Sequence, residues 1–109
     1  MAFDEALAAR IRPILSDSAG VLEKKMFGGV AFLVNGNMSV GVHGSDLVVR
    51  SDPGETVDAL KEPGTRVFDM TGRPMKGWLL VAPRAVKQKS ALNRWVSRGV
   101  AYARSLPGK

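Results

Sequence analysis

Lys25-Met26-Phe27-Gly28-Gly29-Val30-Ala31-Phe32-Leu33-Val34-Asn35-Gly36-Asn37-Met38-Ser39-Val40-Gly41-Val42 reads as two strands around a tight turn. Both central residues of a type I′ turn need positive φ, and Asn-Gly meets that need best. Pairing across Asn35-Gly36 sets Leu33 opposite Met38, Ala31 opposite Val40 and Gly29 opposite Val42. All six are apolar or small, so this is the expected core face. The other face sets Phe32 opposite Ser39 and Val30 opposite Gly41. Two structural explanations exist for its large apolar side chains. Another element covers Val30 and Phe32, or a bulge at Gly28-Gly29 shifts the register. The functional alternative makes Val30 and Phe32 an interface with a second copy or a partner.

Outward from the hairpin, the flanks read as follows. Phe3, Leu7, Ile11, Ile14 and Leu15 recur at helical spacing and predict a helix over 3–15, with Asp4 and Glu5 at its positive end. Pro13 cannot donate to the carbonyl of Ala9, so a kink or restart is expected there. After the hairpin, Leu47-Val48-Val49-Arg50 predicts a third strand. Asp52, Pro53 and Glu55 form a helix-start signature, with Val57 and Leu60 expected inward and Pro63-Gly64 as the stop. Arg66–Met70 and Trp78–Ala82 predict two more strands. A last helix is expected over 87–105, with Leu92, Trp95, Val96, Gly99, Val100 and Ala103 as its buried stripe. The order α-β-β-β-α-β-β-α, with short links between strands, predicts an α+β fold: a two-layer domain over 1–109 whose antiparallel sheet of about five strands is covered by three helices.

Composition narrows the function. The 109-residue chain has no cysteine, so disulfides, thiolate nucleophiles and cysteine metal sites are excluded. The N-terminus lacks the long apolar run of a signal peptide, and no stretch is apolar enough to span a membrane; a cytoplasmic protein is expected. The net charge of +6 is distributed unevenly. Through Asp69 there are seven Lys or Arg against ten Asp or Glu, a net of −3; from Met70 onward there are nine basic residues and no acid, a net of +9. A one-signed final third attracts polyanions or acidic partners. The bland alternative is a solvated face that keeps the protein dispersed.

The candidate sites follow from that charge. Lys87, Arg94 and Arg98 fall at spacings of seven and four, with Lys89 and Arg104 nearby. Such a helix face would neutralise phosphates without reading bases. Arg73 and Lys76, in the loop from Gly72 to Gly77, would hold an anion if backbone donors converge there; turn geometry explains the glycines more simply. Trp78 and Trp95 fall in apolar runs and are expected in the core rather than as stacking platforms. His43 is the only histidine. A triad with Ser45 and Asp46 would have to converge within one tight turn and lacks an elbow motif, and a single histidine makes no metal cluster. No catalytic residue, metal or cofactor is therefore expected.

Four motifs in order, Lys25–Val30, Asn35–Met38, Gly72–Trp78 and Ala101–Pro107, resemble the N-terminal domain of TfoX/Sxy-type bacterial proteins. The resemblance implies an α+β fold with an antiparallel sheet. It also implies kinship with regulators of natural competence, thought to act with the cyclic-AMP receptor protein at promoters. Larger members carry a second, helical C-terminal domain, and this sequence has the counterpart of the first alone. The resemblance brings no catalytic residues. The expected function is a non-enzymatic regulatory or adaptor module with a protein partner such as a transcription regulator, and with weak, sequence-blind DNA contacts. The alternative is a homodimeric interaction domain joined through the Val30/Phe32 face or a strand edge. A small-molecule binder or enzyme near Arg73 and Lys76 ranks third.

Overall fold

A computed structural model describes residues 4–16, 20–26, 29–68 and 77–107. Its elements in chain order are α1 (Glu5–Leu15), β1 (Val21–Met26), β2 (Gly29–Val34), β3 (Asn37–His43), β4 (Asp46–Arg50), α2 (Thr56–Leu60), β5 (Thr65–Val67), β6 (Trp78–Val81) and α3 (Lys89–Ser105). The six strands form one antiparallel sheet in the order β1-β2-β3-β4-β6-β5. This is the expected α+β architecture with one strand more. The extra strand, β1, contains Glu23-Lys24-Lys25, and that charge run hides its strand character. Charges on an exposed edge discourage pairing with other chains, so a polar edge strand is physically sensible.

The hairpin turns at Asn35 (φ 52°) and Gly36 (φ 85°), as a type I′ turn requires. Leu33 faces Met38 as predicted, but the register then slips: Phe32 pairs with Val40, Ala31 with Gly41 and Val30 with Val42. The bulge is at Ser39, not at Gly28-Gly29. The Ser39 hydroxyl donates to the Phe32 carbonyl at 2.7 Å, which fixes the extra residue in place.

That one-residue slip exchanges the faces of β3. Val40 and Val42 join Val30 and Phe32 under the helices, with Leu47, Val49, Leu79 and Val81 from the neighbouring strands. Leu7, Ile11 and Leu15 of α1 and Leu92, Trp95 and Val96 of α3 close the same core. The expected interface of Val30 and Phe32 is thereby corrected. The two side chains are 1% and 2% exposed, so they are core rather than docking surface. The opposite face carries a smaller cluster of Ala31, Met38, Val48, Phe68 and Leu80.

Asp4 caps α1 by accepting from the amides of Ala6 (2.9 Å) and Leu7 (3.2 Å). The helix runs through Pro13 and ends two residues later, so no restart occurs. Asp52 accepts from the Gly54 amide at 2.8 Å, but Pro53–Glu55 forms a 3-10 turn before α2. The tighter turn rotates the helix that follows. Ala59 is buried and Val57 is 70% exposed, contrary to its expected inward position.

Asn37 joins the two layers at their far end. Its buried amide donates to the carbonyls of Pro107 (2.9 Å) and Ala103 (3.5 Å), tying the end of α3 to the hairpin. Asn37→Ala removes the donor to the Pro107 carbonyl, while that of Ala103 still accepts from the Leu106 amide, and is expected to cost about 1 kcal/mol. Urea unfolding checks this, and the last turn of α3 should lose amide-exchange protection before the rest of the helix.

Candidate nucleic-acid interface

α3 displays its core stripe of Leu92, Trp95, Val96, Gly99 and Ala103 to the sheet. Gly99 allows the close approach: a Cβ there would run into the carbonyl oxygen of Ser39 and lie 2.7 Å from a Val40 methyl. The other sides of the helix carry Lys89, Arg94, Arg98 and Arg104, and the helix contains no acid.

These cations do not form the single stripe expected from sequence. Lys87 precedes the helix, after the 3-10 turn Pro83–Val86. At 100° per residue, Lys89 lies about 140° around α3 from Arg94 and on the opposite flank of the buried stripe. Arg94 and Arg98 stay together, about 40° apart. Arg104 is separate, about 80° from Arg94 on the side away from Arg98. Arg73 and Lys76 lie outside the described residues.

Arg94 and Arg98 share one acidic partner. Arg94 Nη1 is 2.6 Å from Glu62 Oε1, and Arg98 Nη1 is 3.5 Å from Glu62 Oε2. Both guanidinium carbons lie 5.4 Å from the centroid of the Trp95 ring. The ring is itself buried, so it anchors the arginines rather than offering a stacking platform. Glu62 thus offsets one of the two guanidinium charges, and Asp52 and Glu55 line the hollow on the far side of Arg98. Glu62 precedes Pro63-Gly64, so the pairing is long-range and has no local signature in the sequence.

Early carboxylates occupy other arginines. Arg12 bonds Glu23 through two nitrogens at 2.8 Å each and reaches Glu5 at 3.2 Å. The Arg12 hydrogen bonds hold the Glu23 carboxyl below its usual range. Both groups are more than a third exposed, so the pair adds little to stability. Arg66 takes Asp46 at 2.6 Å, which engages the acid of the imagined His43-Ser45-Asp46 triad. The His43 ring lies against Phe68, with centroids 5.4 Å apart. Trp78 is half-buried, with the Arg50 guanidinium 5.3 Å from its ring centroid and 5.5 Å from that of Tyr102. Among the described residues, no group of three or more His, Asp or Glu is placed to hold a metal ion. No helix of the described residues is long and apolar enough to cross a membrane.

Comparison with known proteins adds one result. The family model described as the TfoX N-terminal domain matches residues 14–103, from the last turn of α1 to near the end of α3. No curated protein and no solved structure is matched by the sequence.

Proposed function

Since this chain belongs to the TfoX N-terminal domain family, we propose that it is a non-enzymatic regulatory module of the competence-regulator type, working in the cytoplasm by macromolecular contact. Its partner in this reading is a transcription regulator, and α3 adds weak, sequence-blind contacts to nucleic acid. The observation that carries the nucleic-acid part is the charge of α3: four basic residues and no acid, with Glu62 bridging Arg94 and Arg98. Because the cations are spread around the helix, they suit a flexible or non-specific polyanion better than base readout in a groove.

A mobility-shift titration over salt tests this. Log affinity is expected to fall linearly with log salt. Arg94→Gln/Arg98→Gln is expected to reduce the slope by less than the roughly two phosphate contacts that two free cations would give, since Glu62 already offsets part of their charge. Absence of binding at low salt would remove the nucleic-acid part of the proposal and leave the protein-contact part to stand alone.

A further inference from the structure

α1 and α3 leave a groove between them of about 430 Å³, lined by Ala9, Arg10, Pro13, Ile14, Lys89 and Leu92. That volume is within the range of small-molecule sites. The trough is apolar, made by Ala9, Pro13, Ile14 and Leu92, and the rim is cationic. Arg10 is fixed there: its Nη2 donates to the carbonyls of Val86 (2.8 Å) and Lys87 (3.2 Å). Its remaining N–H groups are left over for a ligand. Lys89 stands on the α3 side, and no ion pair engages it among the described residues. α3 also begins with no side-chain cap from Gln88 and no acid in its first turn. Two cations and the positive end of a helix thus border an apolar trough that no carboxylate lines among the described residues.

We propose that this groove binds a free alkyl carboxylate. The aliphatic tail lies along Ala9, Pro13, Ile14 and Leu92, and the head sits between Arg10 and Lys89. The charge pattern selects this chemistry: a neutral chain would leave the rim uncompensated, and a bare anion would leave the trough empty. The site is separate from the Arg94–Arg98 flank and stands whether or not nucleic acid binds.

Titration of the full chain with decanoate below its micelle concentration, followed by amide NMR, tests the proposal. Decanol and decyltrimethylammonium serve as matched probes, and phosphatidylglycerol vesicles form a separate arm. Saturable shifts are expected in α1 and the start of α3. Decanol is expected to bind about tenfold more weakly, since it lacks the charge-assisted contacts. Ala9→Phe, at an exposed position, fills the trough while keeping both cations, and should abolish decanoate binding without changing the salt titration. Lys89→Gln should weaken decanoate about tenfold. Decanol binding as tightly as decanoate, binding that survives Ala9→Phe, a response to vesicles alone, or no saturable shift would each overturn it.

Discussion

Trp95→Ala is expected to lower the stability of this protein by about 4 kcal/mol. Trp95 is 1% exposed and is among the largest fully buried side chains. It packs in the cluster that joins both long helices to the sheet, so little can collapse into the space it leaves. A domain of this size has only about 5–15 kcal/mol in hand, so the variant should be marginal, with a melting temperature lower by roughly 20 °C. Urea unfolding with an unchanged slope would assign the loss to packing. The substitution also removes the ring between Arg94 and Arg98. If the variant is held folded at low temperature, the two guanidiniums should become more mobile while their charge stays the same. A loss below about 1 kcal/mol, the range of a surface substitution, would mean that α3 does not seat on the sheet as described.

Gly99→Val is expected to cost about 3 kcal/mol. Two effects compete. Glycine weakens a helix interior by about 1 kcal/mol relative to alanine, so a side chain at an open position would stabilise. Position 99 is not open. The added Cβ would run into the Ser39 carbonyl oxygen, and that oxygen is backbone held at the bulge. It cannot swing aside as a flexible side chain would, so the steric cost exceeds the helix gain. Thermal unfolding should show a drop of roughly 15 °C. Gly99→Ala should also destabilise, by a smaller amount. A more stable alanine variant would show that α3 rides higher over β3 than the bulge geometry requires.

The same bulge marks the boundary of what the sequence reveals. Asn35-Gly36 specifies its turn by backbone chemistry alone, and the turn forms as expected. Ser39 looks like any strand residue until its hydroxyl meets the carbonyl of Phe32 on the partner strand. That contact decides which side of the sheet Val40 and Val42 occupy, so Val30 and Phe32 can be placed correctly beside the turn and still be given the wrong surroundings. β1 is hidden for a different reason: its edge position favours charges that break the alternation expected of a strand. α2 loses its expected helical phase to a 3-10 turn, which moves Val57 outward.

The charge of the final third is fully legible, whereas its arrangement is not. The spacing of Lys87, Arg94 and Arg98 implies one stripe only if the helix begins at Lys87, and it begins at Lys89. Glu62 reaches Arg94 and Arg98 from a different part of the chain, which no local pattern announces. The groove between α1 and α3 depends on how two helices far apart in sequence pack side by side on one face of the sheet, and so leaves no trace in either segment alone.

Glu62→Gln, titrated against nucleic acid over a range of salt, is the sharpest check on the role of α3. The substitution removes the carboxylate that bridges Arg94 and Arg98 and leaves the helix charges in place. If α3 meets polyanions through these cations, the variant should bind more tightly at low salt than the parent, with a salt slope steeper by up to about one. Unchanged or weaker binding by a variant that melts like the parent would contradict that role.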